Sequence, residues 1–438
     1  MNRSPSQSPC IRREGWNVSR LKHYVQLNPT KGEISQLPKD TEVSFLPMEA
    51  VSESGDFDVS RFGTISDYVS GYTYFRDGDV LLAKITPCFE NGKTALVHGL
   101  KNGIGFGSTE FHVLRARENM DRSYLAYVVR SRAFRAFGEA AMIGAAGQKR
   151  VPESFVSEFR QPFPPFDEQR AIASFLDHQT TKLDQLVEKK QRLIELLQEK
   201  RRALINQAVT KGLDPNVPMK DSGIPWLGEI PAHWDIVRNK NLFYEFSEWN
   251  DTEDSELLTV SHITGVTRRS EKNVNMFMAE SLVGYKHCLP GDLVINTMWA
   301  WMGALGISPH KGVASPSYNT YRIRRDAPLY PWYYDYLCRM PSHVATLRAF
   351  STGVWESRLR LYPKVFLSLV TCLPPFDEQR KIVDYLDEQT TRIDKLIGAT
   401  TRSVELYEEY RQALITAAVT GEIDVRHYAD NEVSALPS

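Results

Sequence analysis

The residues of this sequence with the strongest claim to chemistry are two short motifs, ten histidines and five cysteines. Gly103 to Gly107 (GIGFG) has the composition of a loop for a nucleotide or S-adenosylmethionine. Such a loop follows a buried strand and opens a helix, whereas Thr109 to Leu114 alternates like a strand, so a turn is expected at GIGFG. FPPF (Phe163 to Phe166) and LPPF (Leu373 to Phe376) share the Pro-Pro-aromatic ending of the amino-methyltransferase motif. There a polar first residue hydrogen-bonds the amine. Phe163 and Leu373 cannot do this, and the pattern reads as a structural turn. No G-x-x-x-x-G-K-[ST] phosphate loop and no nuclease cluster of carboxylates and Lys stands out. The histidines form neither H-E-x-x-H nor H-x-E, and the cysteines form no C-x-x-C. The sequence is therefore expected to hold no catalytic, metal or cofactor-binding residues.

The elements that would position any site come from a repeat. Pro164 to Asp214 recurs without gaps as Pro374 to Asp424, about 210 residues later, with roughly half the positions identical. Both copies open PPFDEQR, pass through FLDHQTTKLDQL or YLDEQTTRIDKL, and close on RRALINQAVT or RQALITAAVT. Ile172, Leu176, Leu183, Leu186, Val187, Leu193, Ile194, Leu197, Leu204, Ile205 and Ala208 fall at steps of three and four, which is helical spacing. The second copy repeats this, with Gly398 as a weak point. Asp167 is the expected N-cap and Gly212 the expected C-cap glycine. Each helix carries an apolar stripe, and its own copy is the simplest partner for it. About 40 residues at ~1.5 Å each make a helical spacer of roughly 60 Å. Two separate helices, each packed on its own domain, is the alternative.

The segments between the helices echo each other faintly. Phe75 to Ile85 (FRDGDVLLAKI) and Cys288 to Met298 (CLPGDLVINTM) both read as a turn into a buried strand. Thr109 to Glu118 parallels Asn319 to Pro328 as an alternating strand, each followed by a short helix, YLAYVVRS or YYDYLCRM. A Gly-containing polar loop follows at Gly147 to Pro152 and at Gly353 to Arg358. Trp16 and Trp234 each precede a Val and an Arg. The expected fold is α+β: two similar mixed α/β domains and two long helices packed as an antiparallel coiled coil, in a pseudo-twofold internal repeat. The expected limits are a disordered N-terminus (1–14), a first variable domain (15–163), a first helical spacer (164–214), a second variable domain (215–373), a second helical spacer (374–424) and a flexible tail (425–438).

With 438 residues, more than one core is required. The hydrophobic fraction of 42% and charged fraction of 24% are ordinary for a soluble protein, and no run of about 18 apolar residues occurs. No signal peptide is evident, and scattered cysteines suit a reducing cytoplasm. A formal charge of -1 argues against tight stand-alone nucleic-acid binding, which Lys and Arg normally drive.

The order of variable domain, PPFDEQR helix, variable domain and PPFDEQR helix resembles the specificity subunits of type I restriction-modification enzymes, as does DSGIPWLGEIPAHW (Asp221 to Trp234). The resemblance runs from about Trp16 to Asp424. It implies a non-catalytic subunit that reads a bipartite double-stranded DNA target, one half-site per domain. The helices would set the gap and dock partners: two modification (methyltransferase) subunits and two restriction (ATPase and endonuclease) subunits. S-adenosylmethionine, ATP and Mg would belong to those partners. A 60 Å spacer would limit the gap to about 18 base pairs at ~3.4 Å each.

Under that resemblance, loop Arg, Lys, Asn, Gln and Ser side chains are the expected readers of base edges. In the first domain these are Lys84, Lys93, Gln148, Lys149 and Arg150; in the second, Thr297, Trp299, Trp301, Asn319, Ser357 and Arg358. Each has a plainer reading, Trp299 and Trp301 as one face of a core strand and Lys149 and Arg150 as a solvated loop. Arg170 and Arg380 fit capping or docking better than base contact. A methyltransferase with fused recognition, an adaptor that binds only proteins and a degenerate specificity subunit are the competing readings.

Overall fold

The computed structural model describes residues 13–145, 147–224, 227–272, 281–353, 355 and 359–425. The expected disordered start and flexible tail lie outside them, apart from residues 13, 14 and 425. The chain divides into two compact units, residues 1–191 with 401–438, and residues 192–400.

The first unit is built on an antiparallel sheet in the order Val25–Leu27, Phe111–Ala116, Asp79–Ala83, Thr94–Leu96. Asp79–Ala83 is buried throughout, as expected for a strand covered on both faces. Helix Arg122–Arg130 packs on one face, with Tyr124, Leu125 and Val128 in the core. A second sheet orders Phe62–Thr64, Glu42–Leu46, Ile104–Gly107 and Thr73–Arg76. Its strand Ile104–Gly107 corrects the turn expected at GIGFG. A Cβ on Gly105 would stand 2.1 Å from the Phe75 ring, and one on Gly107 would stand 2.4 Å from the Leu46 carbonyl. These glycines admit close neighbours inside a sheet rather than a ligand.

The second unit repeats the first sheet as Phe243–Phe246, Tyr318–Ile323, Leu293–Asn296, Leu305–Ile307, again antiparallel, with helix Pro331–Cys338 against it. Each domain is entered and left through one antiparallel pair. Asn17–Arg20 pairs with Arg160–Phe163, and Asp235–Arg238 pairs with Val370–Leu373. The pairs end at Pro164-Pro165 and Pro374-Pro375, where the long helices begin.

Those helices span Phe166–Lys211 and Phe376–Thr420, and Gly398 does not interrupt the second. Asp167 lies inside the first turn rather than at the N-cap, where its charge still favours the helix N-terminus. Gly212 closes the first helix at φ +74°, with its N–H on the Ala208 carbonyl. Within each unit the helix segments run antiparallel. In the first, Ile172 and Leu176 share a core with Ile415 and Val419, and Arg411 reaches Asp184 at 3.6 Å. In the second, Ala208 and Val209 share a core with Ile382 and Leu386, and Arg201 pairs with Asp394 at 3.0 Å. Leu186 and Leu193, placed in the buried stripe by spacing, are 40% and 42% exposed. A two-helix contact covers only a narrow seam, so flanking apolar positions stay open.

The repeated motif also fastens each domain to its helix. The side-chain amide of Gln169 donates to the carbonyls of Asn119 and Pro164 (3.2 and 3.0 Å), and its oxygen accepts from the Asp121 N–H (2.9 Å). Gln379 does the same with Pro328, Pro374 and Tyr330 at 2.7–2.8 Å. The Tyr127 hydroxyl donates to Asp177, and that of Tyr336 to Asp387, both at 2.7 Å. Gln169 and Gln379 are almost wholly buried. Replacing either by Ala strands several backbone groups and should cost about 1–3 kcal/mol, read as a lower urea midpoint for its own unit.

His343 gives the second unit a pH dependence. It is buried on helix Pro341–Phe350 against the Tyr334 ring, and burial pushes its pKa down to about 4. An unfolded histidine titrates near 6.5, so between about 4 and 6.5 the folded state binds fewer protons. This contribution is fully present above pH 6.5 and is lost as pH falls, by about 2 kcal/mol at pH 5. Urea unfolding at pH 7.5 and pH 5 should show that loss, and His343→Gln should flatten it.

Candidate nucleic-acid interface

One end of each repeated sheet gathers most of the candidate residues. In the first unit the chain leaves strand Asp79–Ala83 through Lys84 and returns beside it at Lys149. The Thr86 N–H bonds the Lys149 carbonyl (2.9 Å), and the Val151 N–H bonds the Lys84 carbonyl (2.8 Å). Ile143 and Arg150 close the returning loop as an antiparallel bridge. Lys84, Gln148, Lys149 and Arg150 are thereby brought together, and the last three are exposed. Lys84 is half-buried and lines a cleft of about 310 Å³ with Asn28, Lys31 and Thr109. Lys93 lies beside Ala83 through its backbone, but its ammonium donates to the Met48 carbonyl at 3.3 Å, so its charge is partly spent inside the fold.

Arg150 is not a free loop cation. Its Nε and Nη2 reach both oxygens of Glu110 at 2.8–3.2 Å, and Nη1 donates to the Gln148 carbonyl at 3.3 Å. That guanidinium holds the Glu110 carboxyl below its usual range. His112 lies next along the strand, its Nε2 2.9 Å from the Val151 carbonyl, and burial keeps its pKa low.

The second unit has the same construction with different side chains. The Leu361 N–H points at the Thr297 carbonyl (3.4 Å), and Thr352 and Arg360 form the bridge that Ile143 and Arg150 form in the first unit. Lys84 thus corresponds to Thr297, and Arg150 to Arg360. The sheet registers make Glu110 correspond to Ser317 and His112 to Asn319. The Thr297 hydroxyl donates to the Ser317 carbonyl at 3.0 Å, and Asn319 donates to the Tyr321 hydroxyl at 3.4 Å. Trp299 is the N-cap of the 3-10 turn Ala300–Met302 and Trp301 lies inside it, so the two do not share a strand face. Trp299 is 49% exposed. Trp301 is half-buried, its indole N–H on the Met298 carbonyl (3.0 Å) and the Arg348 guanidinium over its ring. Ser357 and Arg358 lie outside the described residues.

Sequence reasoning missed Arg360, Glu110 and the pairs that stiffen each sheet. Asp79 takes Nε and Nη2 of Arg115 at 2.7 Å each, and Arg115 also reaches Glu33 at 2.6 Å. Asp292 takes Nε and Nη2 of Arg322 at 2.8 and 2.9 Å, and Arg322 reaches Glu248 at 3.3 Å. Both arginines have raised pKa values: at Arg115 burial, the largest single influence, is outweighed by the bonds to Asp79 and Glu33 and the charges of those carboxylates together, and at Arg322 the bonds to Asp292 lead. The signal was present as a Gly-Asp in each strand-opening turn and an Arg at matching places in each following strand.

Residues 13–196 match the type I restriction modification DNA specificity domain. The EcoAI type I restriction enzyme specificity subunit of Escherichia coli is 41% identical over 174 residues, 39% of this chain and 28% of that protein. The EcoEI specificity subunit of the same organism is 38% identical over 188 residues, 42% of this chain and 31% of that protein. The chain thus spans less than a third of the length of these relatives. A putative MjaX specificity subunit of Methanocaldococcus jannaschii is 22% identical over 93% of this chain and 100% of its own. Among solved structures, a chain from work on complex assembly and conformational transition of the type I R-M system aligns at TM-score 0.73 and 20% identity, covering 95% of this chain and all of that one. The HsdS subunit of Thermoanaerobacter tengcongensis aligns at TM-score 0.56 and 19% identity, covering 95% and 100%. These two likenesses concern the fold.

Proposed function

We propose that this chain, whose residues 13–196 match the type I restriction modification DNA specificity domain, is the DNA-reading subunit of such a system, each unit reading one half of a bipartite target. The observation that carries this is the duplicated construction: two equivalent sheets, each presenting at the same end a loop pair whose side chains differ. Equivalent frames with unlike tips suit two half-sites of unlike sequence, because base contacts specify while backbone contacts only position.

The repeated helices set the number of unread base pairs and dock two modification subunits, with two restriction subunits joining for cleavage. Leu186 and Leu396, and likewise Leu196 and Leu406, occupy equivalent places in the repeat and are 40–62% exposed, giving each half a similar apolar face for a partner. Methyl transfer from S-adenosylmethionine and ATP- and Mg-dependent cleavage belong to those partners, in the cytoplasm. No helix among the described residues is long and apolar enough to cross a membrane.

A net charge of -1 supplies little phosphate attraction, so affinity depends on the modification subunits closing around the duplex. Gel-shift titration at physiological salt should show weak binding by the chain alone and tight, target-selective binding once the modification subunit is added. Tight selective binding by the chain alone would overturn that division; no binding by the complex would favour an adaptor of proteins.

A further inference from the structure

We propose that Glu110 and Arg150 form one reading element in the first unit, in which the carboxylate fixes the guanidinium for a guanine, and that Arg360, at the equivalent place in the second unit, contacts phosphate instead. The inference rests on the DNA-reading function proposed above.

Arginine has five N–H donors in a rigid plane. Glu110 occupies the side formed by Nε and Nη2, at 2.8–3.2 Å. The end of the plane, where Nη1 and Nη2 each carry an outward hydrogen, is not met by that carboxylate, and Nη1, which has two hydrogens, gives only one of them to the Gln148 carbonyl at 3.3 Å. Two parallel donors on one edge match guanine O6 and N7 in the major groove, which is the commonest base-specific contact of arginine. Glu110 is itself held. Its carbonyl accepts from the Lys84 N–H (2.9 Å), its N–H bonds the Ser108 hydroxyl (3.2 Å), and its side chain is 24% exposed. Arg150 is 43% exposed. An ion pair this open adds little to stability, so folding gives no strong reason for its bidentate geometry. Orientation does give one: a guanidinium locked to a carboxylate is partly neutralised, which weakens its pull toward any phosphate, and it pays no further ordering entropy on meeting a base.

The second unit supplies the contrast within the same chain. Arg360 forms the same bridge as Arg150, yet Ser317 stands where Glu110 stands. Among the described residues Arg360 has no carboxylate partner, and it is exposed. An unclamped, fully charged guanidinium is suited to a phosphate, which tolerates many orientations and is indifferent to sequence.

The test uses the chain assembled with its neighbouring modification subunit, as wild type and as Glu110→Gln, Arg150→Lys and Arg360→Ala, with methylated motifs and salt-dependent binding as readouts. The first half-site of the wild type should contain a G·C pair. Glu110→Gln and Arg150→Lys should relax that one position by about tenfold or more, leaving the second half-site unchanged. Arg360→Ala should leave the motif intact, weaken binding equally across sequences and lower the salt slope by about one. A first half-site without G·C, an unrelaxed position in both Glu110→Gln and Arg150→Lys, or a motif altered by Arg360→Ala would overturn the assignment alone. A wild type that methylates no bipartite motif would overturn the reading function with it.

Discussion

Asp79→Ala should lower the stability of the first unit by about 3–5 kcal/mol, the cost of removing one partner from a buried ion pair. Asp79 is 1% exposed and the Arg115 side chain 7%, so the guanidinium left behind would have little access to water. Glu33 still reaches Arg115, but from a third-exposed position that offsets only part of the loss. Asp79 also accepts from the Arg76 N–H at 2.8 Å, which pins the turn ahead of the strand. The equivalent Asp292→Ala should cost less, about 2–3 kcal/mol, because the Arg322 side chain is 25% exposed and better hydrated. Urea unfolding followed separately in the two units checks both, and a loss below 1 kcal/mol for Asp79→Ala would show the pair to be dispensable.

Exchange of residues 239–369 for the matching block of a relative with another target should change one half-site and leave the other, along with the gap, as it was. The cut points fall at the domain ends of the entry and exit strands, so the pairing of Asp235–Arg238 with Val370–Leu373 and the Gln379 bond to the Pro374 carbonyl persist. Each mismatched base pair costs about 1–3 kcal/mol, so several changed pairs should reduce methylation of the original site by at least about a thousandfold. Retention of both original half-sites, with a soluble complex formed, would mean that this block does not read DNA.

The helices were legible because the periodicity and the ungapped likeness of the two copies, roughly half their positions identical, act over about 50 residues, and the antiparallel coiled coil follows from one stripe seeking another. The docking roles of Gln169, Asp177 and Thr180 lay inside the repeated motif but depended on partners up to 53 residues away. GIGFG misled because three glycines in five residues read as a turn, whereas Gly105 and Gly107 lie in a strand and admit the Phe75 ring and the Leu46 carbonyl. The tips of the domains were hardest. Matching the two Gly-containing loops as whole segments singled out Ser357 and Arg358, whereas the bridge that closes the second loop puts Arg360 where Arg150 stands in the first. Glu110 escaped because its partner lies 40 residues on, and nothing in local pattern ties a strand-opening carboxylate to a loop cation.

Single-molecule methylome sequencing of a methylation-deficient host tests the central claim most directly, comparing the neighbouring modification subunit with this chain and without it. The account predicts a bipartite motif with a fixed gap, methylated only when the chain is present. A soluble complex that leaves no new methylated motif would contradict it.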